Sequence, residues 1–303
     1  MFAKSLAKYF VVAGLLHPIE ASAQELTGTL KKLKETGEIA IGHRETLAPF
    51  SYFDDKQQVV GYSADLCAEI LPIIRRQIKL PDLKVKLVPV TSSSRIPLLA
   101  NGTIDLECGA TTNNVDRQRQ VSFSFTHFVT SNRFVSKKSE KLSKFEDLKG
   151  RNVVSVSGTT NIKQLTELNA QMDLGMLVMP VKDHAEAFLM VETDRSVAFV
   201  MDDVILAGLV ANAKDPAAYE ISKEPLSLEP YAFMVRREDP TFKAVVDGAL
   251  ADIFNSGKIK TIYTKWFEQP IPPKNINLHM PMSESLSKII AKPTDSADPD
   301  AYR

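Results

Sequence analysis

Residues 152–181 read NVVSVSGTTNIKQLTELNAQMDLGMLVMPV, and this stretch decides the fold. Val153 to Ser157 is a short run rich in valine, stopped by Gly158, which is the pattern of a buried strand. Thr160 to Met172 reads as a helix and Leu177 to Val181 as a second strand. Strand, helix and strand in about 30 residues make a parallel pair with a crossover helix, and parallel sheets need helices on both faces. The rhythm continues outward with a helix at Asp183–Glu192, a strand at Ser196–Met201 and a helix at Asp203–Ala213. It also occurs upstream. Glu38–Gly42, Lys84–Val90 and Ile104–Gly109 read as strands, and Ser63–Ile78, with Ser63 at its N-cap, and Ser94–Ala100 as helices.

A pattern that occurs twice in 303 residues implies two α/β lobes, because one core rarely grows that large. From Glu229 the chain changes character. Tyr231–Arg236 reads as a strand, and Phe242, Val245, Val246, Ala249 and Ile253 recur at helical spacing. A helix at Lys258–Phe267 then stops before Pro270. These late elements are expected to complete the first lobe. The assignment is residues 30–131 plus 229–303 for lobe 1 and 132–228 for lobe 2, with crossings near Phe128–Phe134 and Leu226–Tyr231. Residues 274–303 carry one short amphipathic helix, with Leu286, Ile289 and Ile290, and a polar tail expected to be disordered.

The N-terminus has a basic start with Lys4 and Lys8, a short apolar run Tyr9–Leu16, and the small-x-small site Ala21-Ser22-Ala23. That is the form of a cleaved secretory signal, residues 1–23. The apolar run is about half the roughly 20 residues that span a bilayer, and no later segment is long enough. The expected product is a soluble exported protein. Losing Lys4, Lys8 and Glu20 from 37 basic and 37 acidic residues leaves a net charge of −1, which argues against a nucleic-acid partner. Cys67 and Cys108 could pair in an oxidising compartment, but their apolar settings favour two buried free thiols.

No nucleophile elbow, phosphate loop or metal-ligand spacing is present, so neither catalysis nor a metal or other cofactor is expected. What stands out is polar residues at strand ends. Arg44 follows the first strand, Ser92 and Arg95 the second, and Ala110, Thr112 and Arg117 the third. Gly158-Thr-Thr160 joins a strand to a helix start, where backbone N–H groups favour an anion. His184 opens the next helix, and Asp202 closes the strand Ser196–Met201. Each residue alone has a bland alternative: a solvated arginine, a turn threonine, or an Asp202 that simply caps the following helix. Together they lie where open α/β sheets bind ligands, beyond the carboxyl ends of strands. Three arginines, a helix start and one aspartate suit a ligand with two negative groups and one positive group, a dicarboxylic amino acid.

At these residues the chain resembles the type 2 periplasmic solute-binding proteins, and within them the glutamate/aspartate-binding components of ABC importers. The pieces are Gly42-His-Arg-Glu45, Pro49-Phe-Ser-Tyr52, Val60-Gly-Tyr-Ser63, Arg95-Ile-Pro-Leu-Leu99 and Glu107-Cys-Gly109. They continue with Thr111-Thr-Asn-Asn114, Ser157-Gly-Thr-Thr160, Lys182-Asp-His184, Met201-Asp-Asp203 and Ile271-Pro-Pro-Lys-Asn275. The resemblance implies two Rossmann-like α/β lobes joined by a two-stranded hinge, with the amino acid buried between them. It implies that Arg117, Thr112 and the Thr160 N–H hold the α-carboxylate and Asp202 the α-ammonium. Arg44, Ser92, Arg95 and His184 would surround the side-chain carboxylate. Ala110 stands where that branch has a serine, which is harmless if the contact there is a backbone carbonyl. The implied protein is a periplasmic monomer serving a membrane permease. A sensing module for a receptor and a dehydratase-like enzyme on the same fold are the other readings.

Overall fold

The computed structural model describes residues 25–303, so the expected signal peptide lies outside the described residues. One sheet of ten strands runs through it. Along the sheet eight strands run in the order Leu177–Val181, Asn152–Val156, Ala198–Asp202, Phe128–Lys137, Ser227–Arg236, Leu106–Thr112, Glu38–His43, Lys84–Pro89. Two short ones, Tyr219–Ile221 and Val121–Phe123, pair beside Phe128–Lys137 and Ser227–Arg236. The first three strands pair in parallel, and so do the last three. Between them Phe128–Lys137 and Ser227–Arg236, ten residues each, pair antiparallel from Ser227 opposite Asn132 to Tyr231 opposite Phe128. The chain passes from one parallel set to the other along the first long strand and returns along the second.

The turn Gly158 and the helix Thr160–Gln171 follow the pattern read from the sequence. Thr159 is the N-cap, and its hydroxyl accepts from the Ile162 N–H. Two local expectations are corrected. Ser63 does not cap the helix Tyr62–Gln77; that position is Gly61, whose φ of +136° and closeness to the Phe50 carbonyl leave no room for a side chain. Ser63 lies inside the first turn, and its hydroxyl donates to Gly109 O at 2.8 Å. Cys67 and Cys108 are not free thiols but a disulfide with a Cα–Cα separation of 6.3 Å. It ties that helix to the strand Leu106–Thr112, two residues before Ala110. Closing such a loop removes denatured-state entropy, a stabilisation of about 2–4 kcal/mol.

The tail is also corrected. Glu284–Ala291 is the expected helix, with Leu286 and Ile289 buried. The segment after it is ordered, ends in a turn at Pro299–Tyr302 and buries Tyr302 to 2 % exposure. Its polarity misled because backbone carbonyls, rather than apolar side chains, make most of its attachments. At the centre of the molecule Phe50 meets Phe128 at 5.0 Å and Tyr231 at 5.3 Å, so an aromatic cluster grips both long strands where they pair.

Candidate functional site

The carboxyl ends of the two parallel sets face each other, and a cavity of about 230 Å³ lies between them. Arg44 directly follows the strand Glu38–His43, and Arg95 opens the short helix Arg95–Ala100 just past Ser92. Ala110 and Thr112 end the strand Leu106–Thr112. From the other set come Thr160 and His184, each the first residue of a helix, and Asp202, the last of a strand. All of these line the cavity. Arg117 stands beside it on the single turn Val115–Gln118 and donates to Thr112 O at 2.9 Å. Larger hollows exist. One of about 490 Å³ lies over the disulfide, but its lining from Ile41 to Cys108 is almost wholly apolar and carries no arginine or carboxylate. His43 lines that groove rather than the polar cavity.

Contacts across the cavity hold the two sets together. Arg117 Nη2 donates to Gly158 O at 3.1 Å and Ser93 Oγ to Ser157 O at 3.1 Å. Lys163 pairs with Asp116 at 2.6 Å, and Lys274 Nζ donates to Asn212 O at 2.7 Å. Gly158 has φ +78°, and a Cβ there would stand 2.7 Å from Ser93 N and Cα. Only glycine allows this approach.

Asp202 stands at the N-cap position of the helix Asp203–Asn212 but does not cap it with its side chain. It accepts instead from Asn161 Nδ2 at 2.7 Å and from the Tyr231 hydroxyl. Thr160 Oγ1 donates to Glu229 Oε2 at 2.8 Å. Arg95 Nη1 donates to Ala110 O at 3.0 Å and to Thr111 Oγ1, which in turn donates to Glu107 Oε2 at 2.8 Å. The carbonyl of Ala110 thus accepts from Arg95, and the residue lines the cavity. Asn161, Glu107, Glu229 and Tyr231 were not singled out from the sequence. A carboxylate inside an apolar strand, as at Glu107 and Glu229, was the available signal.

Several polar atoms are left over. Ser92 Oγ, Arg95 Nε and His184 Nδ1 are buried without a partner among the described residues, and so is Asn161 Oδ1. The Arg44 backbone exchanges hydrogen bonds with Ser51, while its guanidinium makes none among the described residues. Native interiors rarely leave such groups unpaired. The orphans around Arg44 and Arg95 are two donors together with the His184 nitrogen and one carboxylate oxygen of Glu107, and the one beside Asp202 is an acceptor.

Electrostatics follow the same division. Arg44, 4 % exposed, is pulled down to about 10 by burial and by Arg95, against the opposing pull of Glu107 and Asp183. Arg117 is lowered to about 9 by burial and Arg95, opposed by Glu229, Asp202 and Glu107. Both remain charged at neutral pH. His184 is pushed well down by burial and then by Arg44 and Arg95, so its imidazole is neutral. The Asp202 carboxyl is raised by burial and by Glu229, and its two donors only partly offset this. The cavity has spare positive charge at one end and a carboxyl that resists ionisation at the other. No group of three or more metal-ligating side chains occurs among the described residues.

Residues 39–269 match the bacterial extracellular solute-binding proteins, family 3. The chain is similar to an L-glutamate/L-aspartate-binding protein of Pseudomonas aeruginosa, 49 % identical over 97 % of this chain and 98 % of the relative. A glutamate/aspartate import solute-binding protein of Salmonella typhimurium is 45 % identical over 94 % of each chain. Among solved structures, a mutant of ArgBP from T. maritima superposes with a TM-score of 0.71 at 27 % identity, covering 80 % of this chain and all of the other.

Proposed function

We propose, from the premise that this chain belongs to the bacterial extracellular solute-binding proteins of family 3, that it captures L-glutamate or L-aspartate between two lobes and delivers it to an ABC importer. It is a binding protein rather than an enzyme. The observation that carries the ligand class is the set of unpartnered donors, Ser92 Oγ and Arg95 Nε beside the unpaired Arg44 guanidinium, inside a small polar cavity. A side-chain carboxylate would satisfy them, and would also accept from His184 Nδ1–H of the neutral ring. Arg117 and Thr112 take the α-carboxylate, with the N–H of Thr160 at a helix start, and Asp202 takes the α-ammonium. Asn161 Oδ1 is placed to accept a second ammonium proton. A neutral ligand would leave buried arginine charge uncompensated, which is costly.

The lobes are residues 30–131 plus 229–303 and residues 132–228, and the hinge is the pair of long strands. The contacts of Arg117 with Gly158 and of Ser93 with Ser157 belong to the closed form. Export through residues 1–23 places the mature chain in the periplasm. Calorimetry on the mature protein tests the reading: L-glutamate and L-aspartate bind far more tightly than L-leucine or L-lysine, and a stronger response to lysine overturns it. In solution scattering glutamate lowers the radius of gyration, and in a thermal melt it raises the midpoint by mass action. Stabilisation at constant shape would place the ligand within one lobe.

A further inference from the structure

The family match ends at residue 269, and the T. maritima structure is spanned in full by 80 % of this chain. The last residues are nevertheless bonded to the loop that carries Thr112 and Arg117. Asn113 Nδ2 donates to Asp295 O at 2.9 Å and Ser296 O at 3.2 Å. Gln118 Nε2 donates to Asp295 O at 3.2 Å and to Asn113 Oδ1 at 2.9 Å. Thr126 N donates to Thr294 O at 2.8 Å. The Tyr302 hydroxyl donates to Ser296 O at 2.6 Å and accepts from Thr126 Oγ1 at 2.9 Å, which folds the tail back on itself.

The positions of these bonds matter. Asn113 directly follows Thr112, and Gln118 directly follows Arg117. The residue directly after each of these two side chains is fastened to the tail, while the two side chains themselves are not. Arg117 stands on a four-residue turn, far too short to hold its shape unaided. Its other supports include the Asn114 cap, at 2.9 Å from Arg117 N, the bond from Asn113 N to Pro230 O at 2.8 Å, and the Lys163–Asp116 pair.

We infer that residues 293–303 are a positioning strap, which fixes the Thr112–Gln118 loop so that Thr112 and Arg117 are preset for the α-carboxylate. Asn113 and Gln118 are its positioning residues, and the inference rests on the α-carboxylate assignment made above. A preset donor pair spends no binding energy on ordering the loop. The strap serves the end of the ligand that every amino acid shares, so it governs affinity and not the choice of side chain.

Two variants of the mature protein test this: a chain ending at Ala291, and Asn113→Ala in the full chain, which keeps the tail should the truncation fail to fold. Dissociation constants for L-glutamate, L-aspartate and L-glutamine are measured by calorimetry below the melting range, with a thermal melt alongside. Each variant is expected to weaken all three ligands by the same factor, about tenfold, the worth of one or two hydrogen bonds, with the glutamate-to-glutamine ratio unchanged. A tail that merely braces the fold would lower the melting temperature and leave the constants alone, and that result overturns the inference. So does a loss confined to glutamate and aspartate. An unaltered chain that binds none of the three defeats the site assignment itself, whereas unaltered constants in the variants defeat only the strap.

Discussion

Arg117, Asp202 and Thr160 stand at one end of the cavity, and Arg44, Arg95, Ser92 and His184 at the other. The two ends treat their polar atoms differently. At the first, Arg117 is held by Thr112 O and Gly158 O, Asp202 by Asn161 and Tyr231, and Thr160 by Glu229. At the second, Ser92 Oγ, Arg95 Nε and His184 Nδ1 have no partner among the described residues. The first end would receive groups that every amino acid carries, and the protein can build it in advance. The second would receive what distinguishes one amino acid from another. Leaving it unsatisfied makes the wrong ligand expensive, since a buried donor without a partner costs about 1–3 kcal/mol.

The strongest way to break this comparison is Arg117→Ala. The variant removes the proposed bidentate partner of the α-carboxylate and the bond to Gly158 across the cavity. Breaking a buried charge pair costs about 3–5 kcal/mol, so binding of glutamate, aspartate and glutamine should fall together below calorimetric detection. Survival of any one of them would show that the shared end lies elsewhere.

Arg95→Met addresses the other end. It deletes the charge and keeps much of the stem volume. The expected loss for glutamate is about 2–5 kcal/mol, with a much smaller loss for glutamine, so the preference between them shrinks. Equal losses would sink the side-chain assignment. Because Arg95 also holds Ala110 O and Thr111 Oγ1, a melt must accompany the titration.

How far the sequence led differs between the same two ends and the scaffold around them. Hydrophobic runs and turn residues were enough to read parallel strands from residues 152–181, and strand ends were enough to assemble the arginines. Asp202 was harder. An aspartate before a helix is chemically a good cap, and only the positions of Asn161, at the start of another helix, and Tyr231, on a distant strand, turn it inward. The pairing of Cys67 with Cys108 depends on a 6.3 Å approach of two elements 41 residues apart in sequence. The tail depends on carbonyl oxygens of Thr294, Asp295 and Ser296, which every residue possesses and no side-chain pattern reveals.

The next test concerns protons. Burial and Glu229 raise the Asp202 carboxyl, so the empty site tends to keep its proton, whereas a bound ammonium favours the carboxylate. Asn161 and Tyr231 donate to the same group, and the nearby Asp203 charge opposes its ionisation. Below the raised pKa, glutamate binding therefore releases a proton, and affinity should climb with pH by up to about tenfold per unit, then level off. For the empty protein the sign is opposite. Stability linked to this proton is full below the ordinary aspartate range and is lost as pH rises towards the raised value. Titrations in buffers of different ionisation enthalpy measure the release. No release, with affinity flat between pH 5 and 7, would mean that the carboxylate is already ionised before ligand arrives.

The smallest effect separates the ends most cleanly. Ser92 Oγ is buried without a partner, so Ser92→Ala removes an unsatisfied hydroxyl, and the empty protein should keep or slightly gain stability. Glutamate loses one donor to its side-chain carboxylate, about 0.5–1.5 kcal/mol. Thr160→Ala at the other end should behave differently, because its hydroxyl already donates to Glu229 at 2.8 Å. Removing it leaves a buried carboxylate short of a donor, so the melting temperature falls even without ligand. Stability and affinity thus move in opposite directions at Ser92, while at Thr160 stability falls and any loss of affinity touches glutamate and glutamine equally. Paired melts and titrations on the two variants read this directly. A Ser92→Ala protein that melts earlier and binds glutamate as before would show that the hydroxyl belongs to the scaffold, and the contrast between a prebuilt end and an open one would fail there.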